Sequence, residues 1–411
     1  MSSSRSLSPA RLVGFLLVPI LSAIAPLIVL PVITGSFGGE AWAAVAVAQS
    51  VGSAAAVIVE LGWGLNGPQR VARARGRVRS QLYALSLLTK AFVLVLLIVP
   101  VLVAMQLLAP TQVGNAQIVA IGYLITGLSP VWFFIGEGRP LRILLFDAAP
   151  RLIAAIIPAV LIVTLGFGLD AYAIGLVIGG LIPPTIGLFT ARARWDFVRR
   201  YGARRLLRAI RAQGAALGGR AASALYIALP ITLVGIASPA SLVLFSAVER
   251  MMRLGLALLA SVPNSLQSWV GAPPATARAE RRRRVHLALA FNAGLGLIAG
   301  LGFTWIAPAA ARVLFSGTVH VDHSVAALAG LVIFITCTSR ATGGLGLVAY
   351  RRIPSIAVSA VIGACVGVPA ILLLAAIGGT AGAYAGEILA EVCVLTAQVT
   401  ALVRVGVFRR S

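Results

Sequence analysis

Charge is scarce in this chain. Charged residues make up 11% of 411 positions, and only 11 are Asp or Glu. So little charge excludes the large solvated surface that an ordinary soluble protein of this length presents. Lysine occurs once, at Lys90, and histidine and cysteine three times each. Cys337, Cys365 and Cys393 all fall in apolar segments with no spacing suited to a disulfide or a metal, so they read as small hydrophobes. The one crowding of ligand-type side chains, His320-Val321-Asp322-His323, lacks further metal-ligand company and reads as a short polar loop. No phosphate-binding loop is present, which excludes ATP hydrolysis by the chain itself. The only acids placed in external loops are Glu40, Asp170 and Asp322, too few for a catalytic constellation, so neither an enzyme nor a resident cofactor or metal is expected.

What is abundant is apolar. Hydrophobic residues make up 59% of the chain and mean hydropathy is +0.99. A hydrocarbon core of about 30 Å takes roughly 20 helical residues to span, and runs of that length follow one another over 12–34, 41–64, 81–108, 116–136, 143–166, 171–191, 214–236, 241–270, 286–311, 324–348, 355–377 and 379–403. The expected fold is an all-α polytopic membrane protein of about twelve transmembrane helices. The first run is too long for a signal-peptide core and reads as a span.

The net charge of +23 and isoelectric point near 11.7 would suit a nucleic-acid binder if the basic residues covered a soluble surface. They do not. Of the 34 Lys and Arg, 27 lie at the termini or in alternate loops, and the loops between them hold only Arg312. That asymmetry is the positive-inside pattern, which places both termini in the cytoplasm, makes the number of spans even, and leaves no role for nucleic acid.

The longest basic linker, Arg192 to Arg211, falls midway. It divides the spans into two six-helix bundles, 1–200 and 201–411, related by an axis along the membrane normal. A faint echo between Leu30-Pro31 with Gly35 and Leu229-Pro230 with Gly235 agrees with this. The linker itself reads either as an amphipathic helix on anionic headgroups or as a solvated connection. Pro19, Pro26 and Pro31 in span one each remove a backbone hydrogen bond and favour a kink, so that helix is a candidate hinge. The spacings Gly175 with Gly179, Gly296 with Gly300 and Gly363 with Gly367 suit close helix packing in lipid.

Six cations remain inside spans: Lys90, Arg151, Arg220, Arg250, Arg253 and Arg340. At roughly 2.5 to 3.5 kcal/mol each near a helix centre, they must face inward, pair or snorkel. Asp147 and Arg151 are four apart on span five, as are Glu249 and Arg253 on span eight, a spacing that favours ion pairs. Arg250 and Arg253 lie roughly 13 to 18 Å below the outer end of their helix, near mid-membrane, where a solvated internal cavity would accommodate them. Lys90 and Arg220 lie about two turns from a helix end and are within snorkelling reach. Arg340 is deep in span ten. Glu387 and Glu391, four apart on span twelve, either bind a coupling proton or sodium ion or neutralise the arginines.

Several segments resemble the polysaccharide (O-antigen) flippase family of the multidrug/oligosaccharidyl-lipid/polysaccharide (MOP) exporter superfamily. They are Pro31 through Gly35 to Glu40 and Ala48-Gln49-Ser50, followed by Gly62 to Arg73; Ser129-Pro130-Val131-Trp132-Phe133-Phe134-Ile135-Gly136, continuing to Arg151; Val243 to Arg253; and Val313-Leu314-Phe315-Ser316-Gly317. The second is the most specific. Some relatives have fourteen spans, which this chain does not. The resemblance implies a V-shaped pair of six-helix bundles around a basic cavity, working by alternating access in a bacterial cytoplasmic membrane. The implied substrate is a polyprenyl-pyrophosphate-linked oligosaccharide, with Arg250, Arg253 and Arg220 at its headgroup and the tail in membrane lipid.

Two other readings stand beside that one. A cation-coupled efflux transporter of the same superfamily would be expected to line its cavity with acids, whereas six in-span cations face five acids here: Glu60, Asp147, Glu249, Glu387 and Glu391. A membrane-embedded glycan polymerase or ligase would need external loops bearing catalytic groups, and these loops are short.

Overall fold

The computed structural model describes residues 9–109, 111–193, 207–211, 213, 229–271 and 278–407, with side-chain surroundings from residue 28 onward apart from isolated positions. Every regular element among them is helical. A bilayer demands this, because backbone groups with no water to bond must find partners within their own segment. The chain falls into two compact units, Met1–Ala224 and Leu225–Ser411.

Among the described residues, eight helices are long and apolar enough to cross a membrane by length and composition. The Pro9–Glu60 and Ile353–Arg404 helices are doubled, each 52 residues long and therefore about 78 Å, more than twice the hydrocarbon thickness. Each contains one residue with non-helical angles, Gly38 at φ 84° and Gly379 at φ 55°, a region that glycine enters without a Cβ clash. The six-residue connection expected at Gly35 to Glu40 thus contracts to a single break, as does the one at Gly378. The prolines at Pro19, Pro26 and Pro31 do not interrupt the helical angles of span one, and the non-helical residue in this element, Gly38, is the turn into span two.

In the second doubled helix the two arms fold back on each other. A Cβ on Gly386 would meet the backbone of Ile371, and one on Gly382 the Leu374 carbonyl. Further down, Gln398 Nε2 donates to Ser359 Oγ at 3.2 Å. These three pairs are centred on the Gly378–Gly379 step, which is the tip of an antiparallel hairpin.

Two spans of the first unit depart from simple helices. The Val113–Ile125 helix tightens into a 3-10 turn at Thr126–Leu128 and stops at Ser129 before resuming as Val131–Glu137. Pro130 explains the stop, since it lacks an N–H and holds Ser129 extended, at φ −46° and ψ 136°. The next span starts at Pro140–Ile143, passes through a π-helical turn at Leu144–Ala148, and continues as Ala149–Leu165. Where these irregular stretches meet, Trp63, Tyr83, Trp132, Phe133 and Phe134 form a buried aromatic core. Trp63 and Trp132 stand 5.2 Å apart, and Trp63 Nε1 donates to Thr89 Oγ1 at 3.1 Å.

The basic stretch from Arg70 to Arg79 has a structural role of its own. Arg79 Nε donates to the carbonyls of Val71 and Ala74 at 3.1 and 2.8 Å, covering the C-terminal end of the Trp63–Arg73 helix. Glu137 ties this corner to the next span, 3.8 Å from Arg79 and 2.8 Å from Arg142.

The second unit comprises Pro230–Ala237, Leu242–Leu259, Ser261–Gly271, Arg278–Leu314, His323–Ala341 running into a π turn at Thr342–Leu347, and the Ile353–Arg404 hairpin. The run expected over 241–270 is two helices, which Arg284 fastens to the following span by donating to the Trp269 carbonyl at 2.9 Å. Glycines do pack closely: a Cβ on Gly175 or Gly179 would strike Ala154, and Gly300 faces the Gly330 backbone. Most of the run at 214–236, the linker between 194 and 206, and Arg220 lie outside the described residues.

Candidate functional site: intramembrane charges

Among the described residues, each unit carries a cluster of charge within its spans. In the first, the irregular backbone described above builds the site. Asp147 sits in the π turn, 8% exposed. Its Oδ1 accepts from Ser129 Oγ at 2.7 Å and from Arg151 Nη2 at 3.0 Å. The break at Ser129–Pro130 also frees the Ser129 carbonyl from helical bonding, and Lys90 Nζ donates to it at 3.2 Å. Lys90 is 1% exposed and its ammonium lies 5.8 Å over the Trp132 ring. It therefore does not snorkel to an end; it is retained inside by a carbonyl and an aromatic face.

A cavity of about 460 Å³ opens beside this cluster, with Glu60, Ser129, Trp132, Asp147 and Arg151 in its wall. Lys90 stands behind that wall, touching Ser129 and Trp132. The wall offers an aromatic ring, a hydroxyl, two carboxylates and a guanidinium, so it can stack against an apolar face while bonding hydroxyl or anionic groups.

In the second unit, Glu249 and Arg253 pair at 2.6 Å on the Leu242–Leu259 helix, and Glu387 of the hairpin reaches the same guanidinium at 3.4 Å. Both carboxylate side chains are 3% exposed, while that of Arg253 is 26% exposed. Tyr384, one turn before Glu387, packs on Phe245 with ring centres 5.0 Å apart. Arg340 Nη1 donates to the Leu256 carbonyl at 2.8 Å. Arg250 and Glu391 are half-buried on the same two elements.

Arg253 is thus held by two acids: Glu249, the partner its four-residue spacing suggested, and Glu387, which that spacing did not reveal. Its charge is largely committed to Glu249 and Glu387. Among the described residues, the second oxygens of those two carboxylates, and the Tyr384 hydroxyl, are buried with no hydrogen-bond partner. Such atoms are costly to leave unsatisfied.

The structure brings Glu249, Arg253 and Glu387 together, and separately Lys90 with Asp147 and Arg151. Ser129, Trp132 and Tyr384 take part without having been singled out as site residues. Local signals existed for two: Ser129 directly precedes a proline, and Tyr384 lies three before Glu387 on one helical face. No group of three or more His, Cys, Asp or Glu among the described residues could hold a metal ion, and His323 Nδ1 instead donates to the Thr304 carbonyl, 3.1 Å away.

Among solved structures, the fold is similar to "Lipid II flippase MurJ, inward closed conformation", with a TM-score of 0.69 at 12% identity over 96% of this chain and 87% of that one. It is similar to an inward-facing multidrug resistance MATE family transporter of the MOP superfamily, at TM-score 0.63 and 13% identity over 95% and 94% of the two chains. A MOP superfamily transporter from Pyrococcus furiosus, described by reverse polarity of its binding pocket, aligns at TM-score 0.55 and 14% identity over 98% and 96%. At such identities these likenesses establish the fold: an all-helical membrane architecture of the MOP type. No curated protein matches. The model of one family matches residues 13–262, more than half the chain. With that match added to a fold of membrane helices, this chain belongs to the polysaccharide biosynthesis protein family.

Proposed function

We propose that this chain is a flippase that carries a polyprenyl-pyrophosphate-linked oligosaccharide across the cytoplasmic membrane by alternating access, for export of cell-surface polysaccharide. The carrying observation is the cavity of about 460 Å³ within apolar helices, whose wall holds Trp132, Asp147 and Arg151. Sugar hydroxyls and pyrophosphate cannot enter hydrocarbon unaided. The aromatic face, hydroxyl and carboxylates of this wall suit sugar hydroxyls, and Arg151, which it shares with Asp147, offers the pyrophosphate a guanidinium. The family match and the fold support the same reading.

In this proposal the bundles 1–200 and 201–411 are the two moving halves, and both termini face the cytoplasm. Arg151, in the wall of the first unit's cavity, contacts the anionic headgroup; Arg250, Arg220 and Arg340 are further candidate cations for the substrate. Arg253 and Lys90 chiefly preserve the two charge clusters. Glu249, Glu387 and Glu391 exchange a proton or sodium ion during the cycle. An inside-negative potential assists outward movement by about 2.3 kcal/mol per negative charge per 100 mV.

The test replaces Arg151 and Arg250 with glutamine together and measures surface glycan, lipid-linked intermediate and membrane protein level. We expect surface glycan to fall at least tenfold while the lipid-linked intermediate accumulates. Unchanged export at a normal protein level removes the assignment. Loss of organic-cation efflux in place of glycan export would move the chain to the transporters of small cations.

A further inference from the structure

Among the eight candidate spans of the described residues, the Arg77–Leu108 helix is the least buried, with only 11% of its most apolar window covered. Along one side it meets the Leu169–Thr190 helix, and between them lies an apolar groove of about 270 Å³. Ala84, Leu88 and Ala91 form one wall, and Leu181, Pro184 and Leu188 the other. Two bonds fix the geometry: Tyr83 Oη donates to the Pro184 carbonyl at 3.0 Å, and Ser80 Oγ donates to the Ala191 carbonyl at 2.6 Å. The helices therefore run antiparallel here, with the start of one beside the end of the other.

This places charge at one mouth of the groove. Arg77, Ala84, Leu88 and Ala91 are spaced by 7, 4 and 3 residues and share one face of their helix. Arg77 is exposed, and so is Arg192, at φ 49° just past the end of the other helix and next to Ala191, whose carbonyl Ser80 reaches one turn from Arg77. From Arg77 to Ala91 is about 21 Å at 1.5 Å per residue, enough to take a headgroup and reach through a leaflet of about 15 Å. An occupant fitting this shape has an anionic head and an apolar tail.

We propose that this groove is a binding site for an anionic phospholipid, with one acyl chain against Leu88 and Leu181 and the phosphate between Arg77 and Arg192. The site lies on the lipid-exposed helix, apart from the charged cavity, and does not depend on the transport reading. Its role is to fasten the first unit to the basic-side leaflet at the point where the 192–211 linker departs.

The test titrates detergent-washed protein with phosphatidylglycerol and with phosphatidylcholine of the same chains, reading bound lipid by intact-protein mass spectrometry. We expect one equivalent of phosphatidylglycerol to be retained in preference to phosphatidylcholine. The Arg77→Gln/Arg192→Gln variant should lower that retention roughly thirty-fold, from about 1 kcal/mol per arginine near an anionic headgroup. Leu88→Trp fills the groove and should abolish it; Thr185→Trp, at the exposed rim, serves if Leu88→Trp lowers the melting temperature. Equal retention of the two lipids, an unchanged preference in the double arginine variant, or full retention in a folded tryptophan variant overturns the proposal. Displacement by a polyprenyl phosphate at equal concentration would overturn it too, by reassigning the groove to an isoprenoid chain.

Discussion

At the scale of single residues, the charges inside the spans divide by how they are compensated. Arg253 is shared by Glu249 at 2.6 Å and Glu387 at 3.4 Å, and both acids are buried. Removing the cation strands two carboxylates in low dielectric, whereas neutralising the more distant acid leaves the shorter pair in place. Arg253→Ala should therefore destabilise the protein by about 3–5 kcal/mol, the usual cost of breaking a buried pair. Glu387→Gln should cost clearly less. Thermal melting in detergent reads the difference, and equal losses would contradict the asymmetry. Half of this cluster was legible in the sequence, because residues four apart on a helix are neighbours. Glu387 is 134 positions from Arg253, and no local spacing announces a contact made only when the hairpin packs against the Leu242–Leu259 helix. Lys90 was misplaced for the same reason: its partners, Ser129 and Trp132, come from a distant span whose interruption frees a carbonyl.

Helical elements were read well where hydrophobic length alone decides and less well where backbone geometry does. The span at 171–191 appears as Leu169–Thr190, and that at 81–108 as Arg77–Leu108. The break at Ser129–Pro130 was visible as a proline, yet an apolar run does not say whether proline bends a helix or stops it. Gly38 and Gly379 look like any other glycine of 43 until the chain needs positive φ there. Within the hairpin, Gly386 lies against the Ile371 backbone, where an added Cβ would sit 2.7 Å from the amide nitrogen. Backbone cannot swing aside as a long side chain can. Gly386→Ala should lower stability by about 1–3 kcal/mol through overpacking. Gly378→Ala, with open space around it, should be far milder in the same melting assay.

For the whole molecule, the distribution of arginine is the strongest sequence signal, and it speaks of orientation. Exposed Arg283 and the turn at Ser316–Gly317 occupy opposite ends of the Arg278–Leu314 helix. In a variant with the three native cysteines replaced, Ser316→Cys should react with a membrane-impermeant maleimide in intact cells. Arg283→Cys should react only after the cells are opened. The reverse pattern would invert the topology and with it the direction of transport proposed above.

The hairpin turning at Gly379 has a mechanical consequence. Its reversal is made by one residue, and Gly382 and Gly386 bring the arms into backbone contact on the way down. Such a joint has no slack: one arm cannot slide a helical turn past its neighbour without chain that is not there to be drawn out. The two arms are expected to travel together as a single lever, so that a displacement at Glu387 near its middle also moves Gln398 and Ser359 toward its far end.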